Sequence, residues 1–158
     1  MVETSGERIF FELSRETLER TIAGDYAEGT TVNMERSLSL SDRLGGHFVT
    51  GHIDGVGRVE AISKEGEFCE MDFRVDLVSP GLVAEKGSVA VNGVSLTVAR
   101  WNRIGSGGVF RVALIPETLD RTNLGTAPVG TRVNIEYDLI ARYVVEALTA
   151  RSEEERGQ

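Results

Sequence analysis

Residues 16–38, ETLERTIAGDYAEGTTVNMERSL, and residues 117–139, ETLDRTNLGTAPVGTRVNIEYDL, match without a gap at an offset of 101 positions. Glu16/Glu117, Thr17/Thr118, Leu18/Leu119, Arg20/Arg121, Thr21/Thr122, Gly24/Gly125, Gly29/Gly130, Thr30/Thr131, Val32/Val133, Asn33/Asn134, Glu35/Glu136 and Leu38/Leu139 coincide. Agreement over one ungapped window implies two copies of one structural unit. The stretch 44–115 precedes the second match, whereas the first match has only a short lead. The expectation is therefore a closing part of one unit (1–40), a complete second unit (41–138) and a C-terminal segment (139–158). A partial sheet exposes strand edges. Either another chain covers them, or the natural coding sequence starts further upstream.

The units read as strands. In FCEMDFRVDL (68–77), Cys69, Met71, Phe73, Val75 and Leu77 share one face, with Glu70, Asp72, Arg74 and Asp76 opposite. Ile9–Ser14, Thr31–Glu35, Phe48–Val59, Val89–Val98, Phe110–Ile115 and Arg132–Tyr137 behave alike. Turn signals separate them at Gly66, Pro80-Gly81, residues 105–108 and residues 128–130. Many short strands between such turns predict an all-β antiparallel barrel or sandwich. From Leu139 the period changes. Leu139, Ile140, Tyr143, Val144, Ala147 and Leu148 form one helical stripe, and Asp138 stands where a carboxylate caps free amides. The tail beyond Thr149, RSEEERGQ, reads as frayed.

Composition excludes several classes. Apolar residues make up 41% of the 158 and charged residues 27%, which is globular. A net charge of −8 with scattered basic residues argues against a nucleic-acid or anionic-membrane partner. No apolar run approaches the roughly 20 residues that span a bilayer. The lone Cys69 cannot form an intrachain disulfide, so a cytoplasmic setting is the expectation. His47 and His52 are an odd number apart and fall on opposite faces of a straight strand. That spacing does not suit a shared metal, and no metal site is expected. Ser95 and Thr97 share a face opposite Val94, Leu96 and Val98. The parity change from Val89 and Val91 places a bulge at Asn92-Gly93 that re-aims the hydroxyls inward.

GGHFVTGHIDGVGRV (45–59), VAVNGVSLTV (89–98), LIPETLDRT (114–122) and GTRVNIEYD (130–138) resemble the riboflavin synthases of the two-barrel kind and their lumazine-binding relatives. The resemblance covers residues 10–149. It implies six-stranded Greek-key barrels, a C-terminal helix joining three chains into a homotrimer, and no metal or organic cofactor. It implies that two molecules of 6,7-dimethyl-8-ribityllumazine dismutate to riboflavin and a pyrimidinedione by transfer of a four-carbon unit. By that resemblance Thr50, Gly51, His52, Ile53, Lys86, Ser88, Ser95, Leu96, Thr97, Ala113, Leu114, Ile115, Pro116, Glu117 and Thr118 contact the ligand. Glu12, Leu13, Ser14, Arg15, Glu16 and Thr17 are the matching stretch of the first copy. His52, Ser95 and Asp138 are the catalytic candidates, with His52 a proton shuttle. Residue by residue duller readings stand beside these: a helix N-cap for Asp138, a solvated turn residue for Lys86, a wet strand face for Ser95 and Thr97. His47 is read as structural, Cys69 as a small core residue. In the family the first barrel supplies an opening strand, a serine and a reactive cysteine, which have no counterpart here; Ser95 stands where the cysteine would in the copy present. The competing reading is a lumazine- or flavin-carrying barrel without turnover.

Overall fold

In the computed structural model, residues 2–5 and 7–156 are described, the side chains from residue 7 onward. A closed barrel forms the body. Its strands are β3 (Gly55–Glu65), β4 (Phe68–Val75), β5 (Ser88–Val91), β6 (Val94–Ile104), β7 (Gly107–Leu114) and β8 (Arg132–Tyr137). They are hydrogen-bonded in the order β3-β4-β7-β6-β5-β8, every pair antiparallel, with β8 closing on β3. β5, β6 and β7 follow one another as neighbours while β4 lies beside β7, the Greek-key arrangement. Register shifts at Val59/Ala61 and at Val98/Arg100 bend β3 and β6 so that the sheet can close.

Period-two patterning fills the interior. Cys69, Met71, Phe73 and Val75 of β4 are buried, as are Val89, Val91, Leu96, Val98, Phe110, Val112, Leu114, Val133 and Ile135 from its neighbours. Phe73 and Phe110 are paired across β4 and β7, their rings stacked with centroids 5.3 Å apart. Leu77 was expected on this face, but β4 ends at Val75 and Leu77 is exposed; Val78 takes the inward place. Residues 89–98 are two strands, not one bulged strand. Asn92 (φ 48°) and Gly93 (φ 80°) make a two-residue turn that pairs Val91 with Val94. Two positive φ values define the hairpin turn whose twist matches its strands. Residues 48–54 are also not strand: the Thr50 and Gly51 amides go to the Glu136 carboxylate, and a backbone bond to β8 begins only at Asp54, whose amide donates to Ile135 O at 2.9 Å.

Two short helices follow stretches that were read as strands, Ile9–Ser14 and Phe110–Ile115; the first of these strands ends at Phe11 and the second at Leu114. α1 (Arg15–Arg20) leads into a 3₁₀ turn at Ile22–Asp25, and α2 (Pro116–Arg121) into one at Asn123–Thr126. The offset between them is again 101, and their details agree. Thr21 and Thr122 each donate to the carbonyl four residues back, Thr17 or Thr118, at 2.7 Å. Each also accepts the amide two residues on, from Ala23 or Leu124. Ser14 caps α1 through its side chain, while Pro116 occupies the first turn of α2, where an absent N–H does no harm.

Residues 22–33 meet the barrel and its 3₁₀ turn by an exchange of asparagines. Asn134 Oδ1 accepts the Ile22 amide at 2.8 Å, and Asn33 Oδ1 accepts the Asn123 amide at 2.8 Å. These bonds are equivalent under the 101 offset. Asn33 Nδ2 also donates to the Asn92 carbonyl, and Arg132 pairs with Asp25. The repeated asparagines are thus structural. A cavity of about 450 Å³ lies along this junction, lined by Ile22, Tyr26 and Thr30 and by their counterparts Asn123, Ala127 and Thr131. Residues 31–35 form no strand, and Val32 and Met34 are 42% and 62% exposed, whereas the equivalent Val133 and Ile135 are sealed in the barrel. A hairpin of β1 (Val2–Ser5) and β2 (Arg8–Phe11) precedes them.

The helix α3 (Leu139–Arg156) continues past Thr149, where fraying was expected. Arg151–Glu155 and Arg156–Ser152 contacts at helical spacing support the extra turns. The expectation for Gly157 and Gln158 lies outside the described residues. α3 buries no residue, and Ile140, Tyr143, Val144 and Leu148 are exposed. Replacing Phe110 by Ala removes a fully buried ring and should cost about 3–5 kcal/mol in urea unfolding. A loss below about 1 kcal/mol would contradict its place in the core.

Candidate ligand-binding face on the outer barrel wall

Buried apolar side chains fill the barrel interior, and the polar residues of β6 face outward. Leu96 and Val98 point inward and are buried, while Ser95 and Thr97 are exposed on the outer wall. The expected inward turn of these hydroxyls is not observed, because the hairpin at Asn92-Gly93 leaves β6 regular through Val98. Register then sets their neighbours. Ser88 stands beside Thr97, and Ala90 beside Ser95 on one side and Glu136 on the other. Continuing the Val98–Val112 pairing brings Ala113 level with Thr97 and Ile115 level with Ser95. Ala113 and Ile115 are exposed, whereas Leu114, like Leu96, belongs to the core and offers a ligand no side-chain contact.

A strap crosses this face. Glu136 on β8 is buried to 2% exposure, and its carboxylate accepts three donors: Thr50 N (2.7 Å), Thr50 Oγ1 (2.7 Å) and Gly51 N (3.0 Å). At the other end His47 holds Ser95, through its amide at 3.3 Å and its Nδ1 at 2.7 Å. Two strand spacings separate Ser95 from Glu136, about 10 Å, and three extended residues cover the same distance. The strap therefore runs straight over Ala90, an outward residue that is nonetheless 1% exposed. Its approach requires Gly46. A Cβ there would overlap Ser95 Oγ and stand 2.8 Å from Ser95 Cβ.

Other expected residues sit around this patch. Ser88 and Asp138 line a cleft of about 310 Å³ with Leu82, Ala84, Ile140 and Val144. Asp138 Oδ1 accepts the Ile140 amide at 2.7 Å and so caps α3. Lys86 is an exposed turn residue with φ 68° whose amide donates to Val98 O. Pro116, Glu117 and Thr118 open α2, and Glu117 pairs with Arg121. His52 is exposed and makes no hydrogen bond among the described residues, so the histidine that touches Ser95 is His47. Glu12–Thr17 form the exposed lead and first turns of α1, with Ser14 the cap. Ile53 is half-buried between the strap and β3 in sequence. Among the described residues, no group of three His, Cys, Asp or Glu side chains is placed to hold a metal ion. No described helix is long and apolar enough to cross a membrane.

Glu136 and Asp54 were missed from the sequence, and His47, read as structural, is the histidine that holds Ser95. Glu136 was within reach, since it is one of the residues repeated at the 101 offset. Asp54 accepts the Tyr137 amide at 2.7 Å and Arg142 Nη2 at 2.9 Å, tying the barrel to α3. Burial pushes its carboxyl above the ordinary range, opposed by the Tyr137 amide and Arg142, and Glu136 adds to the rise. The Tyr137 hydroxyl is driven up, mainly by burial and then by Asp54.

A closed six-stranded barrel with a strapped, hydroxyl-bearing outer face defines a class, and the comparisons give it a name. Residues 50–138 match the family model of the lumazine binding domain. A riboflavin synthase of Chlamydia trachomatis is 41% identical over 148 residues, covering 94% of this chain and 70% of that protein. That of Chlamydia muridarum is 38% identical over 158 residues, covering 100% and 76%. That of Mycobacterium tuberculosis H37Rv is 41% identical over 137 residues, covering 84% and 66%. Among solved structures, LumP complexed with 6,7-dimethyl-8-(1'-D-ribityl)lumazine superposes with a TM-score of 0.72 at 24% identity, over 85% of this chain and 69% of that one. The riboflavin complex of LumP gives 0.63. The chain belongs to the riboflavin synthase family of lumazine-binding barrels.

Two predictions follow from the strap and its neighbour. Glu136→Gln removes the charge and turns an amide donor toward backbone donors. Exchange of the Thr50 and Gly51 amides should quicken about tenfold or more in hydrogen-exchange NMR; unchanged protection would show that the carboxylate does not hold the strap. Asp54 has its folded pKa above its unfolded one. Its contribution to stability is present at low pH and lost as pH rises through the raised value. The melting temperature of Asp54→Asn relative to wild type should therefore climb as the pH is raised from about 4 through the range in which Asp54 loses its proton. A difference that falls over that range would contradict the assignment.

Proposed function

We propose that this chain is a riboflavin synthase, converting two molecules of 6,7-dimethyl-8-ribityllumazine into riboflavin and a ribitylaminopyrimidinedione. The observation that carries the reading is 41% identity to a riboflavin synthase across 94% of the chain. The chemistry asks little of a protein. The ring system is electron-poor, its C7 methyl group is acidic and C7 accepts nucleophiles. Holding two rings face to face supplies up to roughly 7–11 kcal/mol of the barrier, and a placed acid or base roughly 10²–10⁴-fold.

On this reading one ring lies against Ser95, Thr97, Ala113 and Ile115. The backbone of Thr50–Ile53 borders it, and Ser88 and Asp138 stand toward the ribityl chain or the reacting centre. His52 carries protons, an exposed imidazole being free to turn toward a ligand. Asp138 keeps one carboxylate oxygen beyond its capping bond. Residues 12–17 serve the first copy's site as 113–118 serve the second, and Lys86 reaches a neighbouring chain's ligand. The matching local structure at the 101 offset supports a duplicated barrel, with residues 1–40 closing the first, 41–138 forming the second, and 139–158 an oligomerisation helix. The exposed stripe of Ile140, Tyr143, Val144 and Leu148 supports association through α3 into a homotrimer. The single buried cysteine fits a cytoplasmic enzyme.

The second reading is a carrier: a barrel that binds lumazine or flavin without turnover. The exposure of Val32 and Met34 favours it for the chain as given, because a first barrel without closed walls offers no second ring platform. Titrating the protein into 6,7-dimethyl-8-ribityllumazine should alter the ligand's fluorescence, and anaerobic incubation should yield riboflavin. Binding without riboflavin selects the carrier. Unchanged fluorescence at saturating protein overturns both.

A further inference from the structure

The His47–Ser95 contact fixes which way the Ser95 hydroxyl can hydrogen-bond. A hydroxyl has one proton to give and two lone pairs to receive with. One lone pair of Ser95 Oγ takes the His47 amide. The 2.7 Å contact with His47 Nδ1 can then run in either direction. If Nδ1 accepts, the serine proton is spent and the ring proton sits on Nε2. If Nδ1–H donates, both lone pairs are filled and the serine proton is free.

His47 Nε2 decides between them. It is buried and has no hydrogen-bond partner. A buried N–H without an acceptor is the rarer and costlier orphan, whereas an empty lone pair is better tolerated. The ring proton therefore belongs on Nδ1, and the hydrogen bond one nitrogen makes sets the tautomer of the whole ring. Ser95 itself is exposed, with no partner beyond His47 among the described residues. We propose that His47 is a positioning residue that, as the Nδ1–H tautomer, presets Ser95 as a hydrogen-bond donor to an acceptor atom of the bound ligand. A ring carbonyl oxygen, a ring nitrogen or a ribityl oxygen qualifies; a donor group at that point is rejected. The ligand part rests on the function proposed above, but the tautomer does not.

The test separates the two. Long-range ¹H–¹⁵N correlation spectra of the free, full chain at pH 8 should show His47 Nδ1 protonated and Nε2 bare. The shifts of that ring should move in Ser95→Ala and stay in Thr97→Ala. A proton on Nε2 overturns the proposal whatever the protein binds. Asparagine and aspartate then probe polarity at one shape, since asparagine can donate to Ser95 and aspartate can only accept. With ribityllumazine as the probe, His47→Asn should bind within about threefold of wild type, and His47→Asp about tenfold or more weaker. Equal binding by the two variants also overturns it. A wild-type protein that ignores ribityllumazine refutes the proposed function, while the spectra still decide the tautomer.

Discussion

A buried carboxylate on β8 governs the outer face of this barrel. Glu136 has been taken out of water, which costs several kcal/mol for an ion without compensation. It is tolerated because three donors from Thr50 and Gly51 converge on it, and hydrogen bonds to a charged group contribute about 1.5–3 kcal/mol each. The consequence reaches along the chain. With Thr50 and Gly51 pinned, residues 47–49 have just the length to cross β5, and His47 lands on Ser95. Gly46 completes the crossing by leaving room for the serine oxygen. The strap has no regular secondary structure, yet side-chain anchors at both ends set its course.

The second constraint is the junction of residues 22–33 with the barrel and its 3₁₀ turn. Asn134 accepts the first amide of the 3₁₀ turn at Ile22–Asp25 and Asn33 the first amide of the one at Asn123–Thr126, so the two segments clasp each other reciprocally. Asn92 joins them by exchanging two bonds with the Asn134 backbone and offering its carbonyl to Asn33. A cavity of about 450 Å³ runs along this clasp. Asn92 lines it, but Ser95 and Thr97 do not. The outer wall that carries Ser95 and Thr97 is crossed by the strap, whose ends are held at Ser95 and Glu136.

Much of this was legible in the sequence. Strict alternation placed Cys69, Met71, Phe73 and Val75 in the core, and β8 was read to the residue. No turn was read at Ile22–Asp25 or Asn123–Thr126, although the two 3₁₀ turns there stand at the 101 offset of the sequence match. Three things were hidden, each for a physical reason. Asn92-Gly93 carries the strongest short hairpin signal, but parity arithmetic treated the flanking valines as one strand. The strap alternates like a strand, and only tertiary bonds to Glu136 and Ser95 take its donors away from a ladder. His47 and His52 differ in partner, not in local pattern, so five residues of spacing could not reveal which one would meet Ser95.

The proposed function turns on one placement, that of a bicyclic heteroaromatic lying flat on the outer wall of β5 and β6 beneath the edge of the strap. A crystal structure of this chain grown with 6,7-dimethyl-8-ribityllumazine tests it most directly. The expected result is ring density against Ser95, Thr97 and Ile115, with a ligand acceptor atom within hydrogen-bond reach of Ser95 Oγ. Ring density in the cavity between Tyr26 and Thr131, with the β5–β6 wall bare, would contradict it.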